Sequence, residues 1–344
     1  MLHNNKKTLL CSATALVATL LATGTAQAGE TFDAVKERGQ VVCGVSTGLP
    51  GFSSPDDQGN WEGIDVDVCH GVAAAVFGDA SKVQFVPLNA KERFTALQSG
   101  EIDVLSRNTT WTATRDTTLG LNFTGVSFYD GQGFLVKKDL GVDSAKQLDG
   151  AAFCVQSGTT TELNLADYFQ ANDMSFEPVV FDTSDQTVGG FEAGRCDVLT
   201  SDTSQLNALR IKLADPDGAK VLPEVISKEP LGPVVRQGDD QWFNAVKWTL
   251  FAMLNAEEMG ISSENADELK DSDAPGIARF MGSEGDFGKA MGLPADWAYN
   301  VVSQVGNYAE VFDRNVGANS PLNIERGINA LWTDGGVQYA PPIR

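Results

Sequence analysis

The clearest candidate for binding chemistry is a polar segment at residues 106–115, which ends in Arg115. It follows an apolar stretch typical of a buried strand and contains several hydroxyl and amide side chains. Open α/β sheets bind ligands beyond the carboxyl ends of their strands. An arginine there can bind a carboxylate through two parallel hydrogen bonds, which lysine cannot reproduce. We therefore expect Arg115 to bind a carboxylate with Thr110 and Asn108. A threonine-rich turn with a surface arginine explains the same residues.

A second candidate segment, residues 156–162, carries a glycine and three threonines before a predicted helix. Unpaired amides and the positive end of the helix dipole favour an anion there, and the Thr160 hydroxyl can add a hydrogen bond. A simple helix cap at Thr159 or Thr160, with Glu162 near the capping-box position, explains the segment equally well. The segment taken alone does not decide between the two interpretations.

A third candidate is Asp202, which follows a predicted strand and precedes another helix. Its carboxylate can hold an ammonium group, or it can cap the helix, a role that aspartate fills well. Considered together, the three segments supply a cation, hydrogen-bond donors and a carboxylate. A zwitterionic α-amino acid needs both of its charges matched when it leaves water, because an unpaired buried charge is costly. The combination therefore predicts an amino-acid-binding site.

Short predicted strands alternate with helices around these candidates, and the alternation occurs twice. The first series has strands at 40–46, 83–86 and 102–106, with helices at 65–77 and 91–98. The second series has strands at 152–156, 178–181 and 196–200, with helices at 162–170 and 186–193. Such alternation predicts two α/β lobes, each with a largely parallel sheet. The length of the chain also exceeds what one compact core usually holds.

Two extended stretches, residues 129–137 and 229–236, are the expected crossovers between the lobes. The resulting lobes are a first lobe of residues 29–133 and 234–344 and a second lobe of residues 134–233. A helix expected at 239–258 carries an apolar stripe typical of a face packed on a core, and we place it on the first lobe. From about residue 260 the sequence predicts a mainly helical extension with no assigned chemical role.

Five segments of the sequence resemble the type II periplasmic amino-acid-binding proteins, which are solute-binding proteins of family 3. These segments are residues 59–67, 94–103, 106–115, 157–162 and 194–202. The sequence is most similar to the general L-amino-acid-binding proteins of polar amino-acid ABC importers. The resemblance implies an α/β fold of two hinged lobes, the periplasmic binding protein type II fold, with a mainly helical C-terminal extension.

The resemblance also implies a function, which is capture of free L-amino acids by closure of the lobes. The specificity is expected to be broad, and the ligand is delivered to the membrane subunits of an ABC importer. The resemblance assigns carboxylate binding to Arg115 and Thr160, nearby carboxylate and ammonium contacts to Thr110 and Asn108, and ammonium binding to Asp202. It implies no cofactor.

The sequence departs from many of these relatives at the expected side-chain pocket. Leu49 stands where an aromatic residue precedes a proline-containing loop, and Ala90 stands near the place of an aromatic lid. These departures argue against narrow specificity for cationic side chains. Leu49 and Arg93 are the expected pocket residues. Arg93 could contact an acidic side chain, although a surface position is the simpler expectation.

An enzyme is the main alternative, because some exported proteins of this fold are dehydratases that act on aromatic amino-acid precursors. Such enzymes need an acid and a base for proton transfer. His70 is the only histidine after residue 28 and lies in a predicted helix. This leaves Glu162 as a candidate acid or base. The spacing of a zinc site is also absent from the sequence. We therefore expect a binding protein without a metal or a cofactor.

Four cysteines follow residue 28, and an even number of cysteines in an oxidising compartment predicts two disulfides. Three pairings are possible. Lobes that must hinge should not be tied together, so each disulfide is expected within one lobe. This requirement favours Cys43 with Cys69 and Cys154 with Cys196.

The N-terminus has the features of a signal peptide. Lys6 and Lys7 precede an uncharged apolar run at residues 9–21, and residues 26–28 supply the small side chains that signal peptidase recognises. A membrane anchor is the alternative, but the run is shorter than the ~20 residues of a spanning helix. We expect cleavage after Ala28 and export to the periplasm.

The exported chain is strongly acidic. The formal charge of the sequence is −21, and removal of the signal peptide takes away two lysines and no acids, which leaves −23. Such a surface repels nucleic acid and anionic lipid headgroups. The expected partners are thus amino acids and an importer, with no nucleic acid and no direct membrane insertion. We expect the protein to be a monomer.

Overall fold

The structure is a computed structural model that describes residue 1 and residues 30–344. The signal peptide and cleavage site predicted for residues 1–28 lie, apart from residue 1, outside the described residues. None of the described helices is long and apolar enough to cross a bilayer. The strands, numbered in chain order, are β1 (Val41–Val45), β2 (Ser54–Pro55), β3 (Trp61–Glu62), β4 (Val83–Pro87), β5 (Val104–Leu105), β6 (Leu121–Phe123), β7 (Phe128–Asp130), β8 (Gln132–Lys137), β9 (Ala152–Gln156), β10 (Glu177–Phe181), β11 (Val198–Asp202), β12 (Ala219–Val221), β13 (Glu229–Leu231) and β14 (Val234–Arg236).

The α-helices of the described residues include one near each helix for which the sequence predicts bounds. They are α1 (Glu30–Arg38), α2 (Ile64–Phe77), α3 (Arg93–Ser99), α4 (Ala113–Thr118), α5 (Thr160–Ala171), α6 (Ser184–Glu192), α7 (Thr203–Arg210), α8 (Asp240–Glu258), α9 (Pro275–Met281), α10 (Trp297–Val305) and α11 (Tyr308–Asn315). The predicted strands and helices of both series occur within about two residues of the expected bounds. The strand expected at 196–200 is β11, which is displaced by two residues, so that Asp202 is its last residue.

Two five-stranded sheets form the cores of two lobes, which confirms the predicted α/β architecture. Their strand orders are β4-β1-β5-β14-β6 in the first lobe and β10-β9-β11-β8-β12 in the second. β1 pairs in parallel with β4 and β5, and β9 pairs in parallel with β10 and β11. The strands that arrive from the other lobe, β14 and β8, pair antiparallel to their neighbours. Because parallel strands share a direction, the segments that follow them emerge at one edge of each sheet.

The two crossovers between the lobes pair with each other as short strands. β7 and β13 are antiparallel, with Asp130 opposite Glu229 and Phe128 opposite Leu231. The chain enters the second sheet at β8, immediately after β7, and returns to the first sheet at β14, immediately after β13. A pair of strands is therefore the covalent connection about which the lobes can rotate.

Both predicted disulfides are present, and each lies within one lobe. Cys43 in β1 is bonded to Cys69 in α2, and Cys154 in β9 is bonded to Cys196, which precedes β11. Each bond therefore links a central strand to a neighbouring element of the same lobe and leaves the crossover strands free to bend.

Helix α8 is packed on the first lobe, as its apolar stripe predicts. All five residues of the stripe are buried: Trp242, Val246, Leu250, Met253 and Leu254. The Trp242 indole N–H donates to the carbonyl of Asp103 at 2.9 Å, which gives this buried polar group a partner. Helix α10 of the C-terminal extension packs against both α2 and α8, so the extension thickens the helical layer of the first lobe.

The C-terminal extension also binds the crossover near β7. Tyr308 donates from its hydroxyl to the Ser127 carbonyl at 2.7 Å. The Asn329 side chain accepts from the Tyr129 N–H at 2.7 Å and donates to the Tyr129 carbonyl at 3.0 Å. The Asn329 side chain thus makes the two backbone hydrogen bonds that a neighbouring strand would make to Tyr129. In this way the extension fixes one of the two crossovers to the first lobe.

Replacing Asn329 by alanine should lower the free energy of unfolding by about 1–2 kcal/mol, because two hydrogen bonds to β7 are lost. Urea denaturation followed by circular dichroism measures this change. Asn319→Ala is the matched control, since Asn319 is exposed in the same extension and should change stability by less than about 0.5 kcal/mol. Equal stability of the two variants would contradict the role given to Asn329.

Candidate ligand-binding site

A small cavity lies between the two lobes, at the edge where the parallel strands end. Polar side chains from both lobes line it. The first lobe contributes Arg93, Arg107, Asn108 and Thr110, and the second lobe contributes Gln156, Thr159, Thr160, Thr161, Ser201, Asp202 and Gln205. Four of the five predicted ligand-binding residues therefore line one cavity, and the fifth, Arg115, lies next to it.

Asn108 is held in place by a buried carboxylate at the start of α2. Its backbone adopts φ = 30°, a left-handed conformation that asparagine tolerates better than most residues. The Asn108 N–H donates to Asp65 Oδ2 at 2.8 Å, and the Ser106 hydroxyl donates to Asp65 Oδ1 at 3.3 Å. Burial raises the pKa of Asp65 to about 7, against the opposing effects of these hydrogen bonds. Asp65 thereby fixes the turn that follows β5.

Arg115 is positioned by the short helix α4. The Thr112 hydroxyl caps this helix by accepting from the Arg115 N–H at 3.3 Å. The Arg115 guanidinium is buried and donates from Nη1 to the Thr110 carbonyl at 2.9 Å. It also lies 5.2 Å from the centre of the Phe94 ring. The surface-turn interpretation is therefore wrong, because helix α4 directs the side chain inward beside a cavity residue.

Arg93 corrects the expectation of a surface position. It is the first residue of α3, yet it is 2% exposed and lines the cavity. Its Nη2 lies 3.5 Å from the Gly158 carbonyl of the second lobe, and its Nη1 lies 3.4 Å from the Thr109 hydroxyl. The side chain is buried because the second lobe covers the start of α3, which sequence periodicity cannot indicate.

Arg107 is a further cavity residue that sequence reasoning did not single out. It lies two residues beyond β5 and is 3% exposed, and its Nε donates to the Leu88 carbonyl at 2.9 Å. The available signal was its place in the polar segment that follows a buried strand.

Leu49, the other expected pocket residue, is placed in the apolar core and not on the cavity wall. It is 1% exposed and belongs to the same hydrophobic cluster as Phe52 and Phe128. Its backbone forms an isolated bridge with Ser53, which turns the loop back on itself. The loop therefore directs Leu49 into the first lobe, so of the two expected pocket residues only Arg93 lines the cavity.

The start of α5 resolves the two interpretations of the second segment. Thr159 is the helix cap, and its hydroxyl accepts from the Glu162 N–H at 3.2 Å. Thr160 is therefore free of the capping role, and its hydroxyl donates to Glu229 Oε2 at 2.9 Å. The same hydroxyl lies 3.3 Å from that of Thr110 in the first lobe. The two predicted threonines thus meet across the cleft.

Asp202 stands at the cap position of α7, but its side chain forms no capping hydrogen bond. Asp130 of β7 takes that role instead, since it accepts from the Ser204 N–H at 3.2 Å and from the Ser204 hydroxyl. The Asp202 Oδ1 is buried without a hydrogen-bond partner among the described residues. The capping interpretation of the Asp202 carboxylate is therefore wrong, and this carboxylate remains available to a ligand.

Burial raises the pKa of Asp202 well above its ordinary value. The neighbouring carboxylates of Asp130 and Glu229 raise it further, whereas Arg93 and Arg115 across the cavity lower it. Burial likewise raises the pKa of Asp130 to about 6. A ligand cation bound beside these carboxylates would offset part of the cost of burying their negative charge.

Burial also disfavours the charged forms of the three arginines near the cavity. Burial lowers the pKa of Arg93 well below its usual value, lowers that of Arg107 to about 10 and lowers that of Arg115. An arginine side chain nevertheless stays protonated at neutral pH. The first-lobe wall is therefore cationic, and an anion bound there would reduce the cost of burial.

Glu229 is a residue of this region that the sequence analysis missed. It is 1% exposed in β13 and accepts from the Thr160 hydroxyl, from Asn164 Nδ2 at 2.7 Å and from the Ser227 hydroxyl at 2.7 Å. Its place before a proline in a crossover carries no signal of binding chemistry. Only the pairing of the crossover strands brings it beside α5.

The lobes are in contact around the cavity, so the structure represents a closed arrangement. Asn108 Nδ2 donates to Gln205 Oε1 at 3.0 Å across the cleft. At the rim, Lys91 Nζ lies 2.6 Å from Asp182 Oδ1. Within the described part of the chain, no cluster of three or more His, Cys, Asp or Glu side chains has the arrangement of a metal site.

Comparison with known proteins identifies close relatives along the whole chain. The general L-amino acid-binding periplasmic protein AapJ of Rhizobium johnstonii is 59% identical over 340 residues, which cover 98% of this chain and 100% of AapJ. The glutamate/glutamine/aspartate/asparagine-binding protein BztA of Rhodobacter capsulatus is 52% identical with the same coverage. A periplasmic binding protein of an ABC transporter from Brucella ovis, solved with glutathione bound, is 55% identical. Its structure aligns with a TM-score of 0.90 and covers 91% of this chain and 99% of its own.

The family model of the bacterial extracellular solute-binding proteins, family 3, matches residues 41–264. That range contains both sheets, the crossovers and all the residues that line the cavity. The match and the relatives agree with the resemblance found in the sequence. The chain belongs to family 3 of the bacterial extracellular solute-binding proteins.

Proposed function

We propose that this protein captures free L-amino acids in the periplasm and delivers them to the membrane subunits of an ABC importer. The observation that carries the proposal is the buried Asp202 carboxylate, whose Oδ1 has no partner in the described residues and which lies across a closed cavity from cationic side chains. A free α-amino acid has the two charges that complement these walls. Neutral solutes and simple anions complement only part of the site.

In the proposed complex, the α-carboxylate binds the Arg115 guanidinium and the hydroxyls of Thr110 and Thr160. The α-ammonium binds Asp202, and Asn108 contributes polar contacts beside it. Charge-assisted hydrogen bonds contribute about 1.5–3 kcal/mol each. Three to five of them would therefore reach the ~8 kcal/mol that corresponds to a micromolar Kd.

Closure of the lobes completes the site, because its two charges lie on different lobes. An open form presents the first-lobe residues alone, and rotation about β7 and β13 brings Asp202 onto the ligand. A ligand favours the closed form only by the difference between its affinities for the two forms. Binding both charges therefore couples occupancy to the closed shape, which is the form that an importer would recognise.

The proposed specificity is broad, and the ligands named for the relatives support it. They include L-amino acids in general and the amino acids glutamate, glutamine, aspartate and asparagine. Glutathione, the ligand of the Brucella ovis structure, begins with a glutamate whose α-ammonium and α-carboxylate are free. All these ligands share the pair of charges that the cavity complements.

We further propose that the chain is exported, that its signal peptide is cleaved after Ala28, and that the product is a monomer without catalytic activity. The dehydratase alternative receives no support from the relatives. Glu162 is engaged at the start of α5, where its carboxylate accepts from the Gly158 N–H at 3.1 Å. The His70 ring hydrogen-bonds to the Ala80 carbonyl and does not line the cavity.

A thermal-shift screen followed by calorimetry tests the proposal on the exported chain. The twenty L-amino acids, glutathione, arogenate and prephenate are the probes, with N-acetyl and carboxamide derivatives of each amino acid that binds. Saturation at 100 times Kd should add about 2.7 kcal/mol of stability. Derivatives that lack either charge should add almost none. Equal binding of an N-acetylated ligand would overturn the proposed site, and turnover of arogenate or prephenate would favour the enzyme.

A further inference from the structure

Crossover strand β13 is bonded along both of its edges. One edge pairs with β7. On the other edge, the Trp111 N–H donates to the Pro230 carbonyl at 2.8 Å. The Gly232 N–H donates to the Thr109 carbonyl at 3.0 Å, so the two bonds flank Thr110. β13 is thus fixed to the first-lobe segment that carries one of the proposed carboxylate contacts.

The side chain of Glu229, the first residue of β13, extends from this strand to helix α5 of the second lobe. Its Oε2 accepts from the Thr160 hydroxyl at 2.9 Å, and its Oε1 accepts from Asn164 Nδ2 at 2.7 Å. Thr160 and Asn164 are four residues apart, so they lie on one face of the helix. One buried carboxylate therefore connects β13 to the start of α5 at two points.

These connections set the distance between two of the proposed carboxylate contacts. The hydroxyls of Thr110 and Thr160 lie 3.3 Å apart across the cleft. Both hydroxyls can donate to one carboxylate, because its two oxygens accept several hydrogen bonds. A binding site needs supporting residues that hold such contacts within about 0.5 Å of the productive geometry. Glu229 supplies this support, because it joins the strand bonded to the Thr110 segment with the helix that carries Thr160.

The two bonds from α5 to Glu229 differ in what a ligand does to them. The Thr160 hydroxyl has a single proton, so it gives up its bond to Glu229 when it donates to the ligand carboxylate. Asn164 does not line the cavity, and its bond to Glu229 remains. In the complex, Asn164 is therefore the connection between Glu229 and α5.

We infer that Glu229 is a positioning residue for the α-carboxylate of the ligand. Through Asn164, it holds the start of α5 against the first-lobe segment while Thr160 binds the ligand. The inference rests on the proposed function, because it concerns how the protein supports two of the proposed ligand contacts. It gives a role in binding to a crossover residue that does not itself line the cavity.

Asn164→Ala and Ser227→Ala form a matched pair that tests the inference. Each removes one neutral donor that lies 2.7 Å from Glu229 Oε1, and each leaves the Glu229 carboxylate in place. Only Asn164 lies on α5. Ser227 also accepts from the Gln132 N–H at 3.3 Å, so a loss of stability alone would weaken binding at least as much in Ser227→Ala. Both variants should fold, because alanine favours the helix at 164 and Glu229 keeps two other donors in each.

Calorimetry and stopped-flow fluorescence with the best ligand of the screen measure the two effects. Asn164→Ala should weaken binding by about 5- to 10-fold, mainly through faster dissociation. Ser227→Ala should change Kd by less than about 2-fold. Equal changes in Kd for the two variants, or a larger change in Ser227→Ala, would overturn the inference.

Thr160→Val supplies the second test, because it removes the supported hydroxyl and keeps the branched shape of the side chain. In this background Asn164→Ala should weaken binding by no more than about 2-fold, since the contact that it positions is gone. Single losses that multiply in the double variant would show that Asn164 acts independently of Thr160, which would also overturn the inference. Failure of every amino acid to bind the wild-type protein would instead refute the proposed function.

Discussion

Replacing Asp202 by asparagine is expected to weaken amino-acid binding by about 2–5 kcal/mol, which is about 30-fold to several thousand-fold in Kd. The reason is that the ammonium of the ligand would enter a closed cavity without its counter-charge. Asparagine has nearly the same volume, so the loss would come from charge and not from a void. Isothermal titration calorimetry with the best ligand of the screen measures the change.

The same substitution should not destabilise the closed arrangement in the absence of ligand. Burial raises the pKa of Asp202, so the folded state holds its proton more tightly than the unfolded state does. Stability from this group is therefore greatest at acidic pH and falls as pH rises from about 4 through the folded-state pKa. Asp65 and Asp130, with pKa values of about 7 and about 6, contribute with the same sign. Asp202→Asn should be more stable relative to wild type at pH 8 than at pH 4.

Asp217→Asn is the control, since it makes the same chemical change at an exposed position of the second lobe. Its Kd and its unfolding curve should match those of the wild type within error. Wild-type affinity in Asp202→Asn would show that the ammonium binds elsewhere. A loss of affinity accompanied by a large loss of stability at pH 8 would indicate a structural role for the carboxylate.

Arg115→Ala is expected to produce a loss of similar size, because a buried bidentate partner of the α-carboxylate disappears. Arg115→Lys should lie between this variant and the wild type. Lysine keeps the positive charge but cannot donate two parallel hydrogen bonds to one carboxylate. The graded series of affinities for one ligand, measured by calorimetry, separates the contribution of charge from that of geometry.

Arg115 also binds the Thr110 carbonyl, so Arg115→Ala should lower the free energy of unfolding by about 1–2 kcal/mol. Urea denaturation in the absence of ligand measures this cost, which is too small to unfold the protein. Arg195→Ala, an exposed position on the second lobe, controls for the removal of an arginine. Arg115→Lys that binds as tightly as the wild type would show that paired hydrogen bonds are not required.

The two predictions have different physical origins. Asp202 lacks a partner for Oδ1, so its burial costs free energy when the lobes close without a ligand. Arg115 already has one protein partner and is pre-positioned by α4. The first-lobe wall is therefore organised before binding, whereas a ligand cation offsets the cost of burying the second-lobe carboxylate as the lobes close.

Local patterns in the sequence determined the elements and many of the site residues. Alternating strands and helices predicted two α/β lobes because period-2 and period-3.6 hydrophobic patterns depend only on neighbouring residues. The ends of the predicted strands identified Arg115 and Asp202 because loops at those ends carry binding residues in open sheets. The disulfide pairing followed from the requirement that hinged lobes remain separate.

Other features depend on contacts between residues far apart in the sequence, and only the tertiary structure decided them. The contact of Thr160 with Glu229 depends on the pairing of the crossover strands. Asp202 is free of the capping role because Asp130, 72 residues earlier, binds the start of α7. Arg93 contacts the Gly158 carbonyl of the second lobe, 65 residues later. Burial and charge pairing of this kind arise when the lobes close, so no local pattern encodes them.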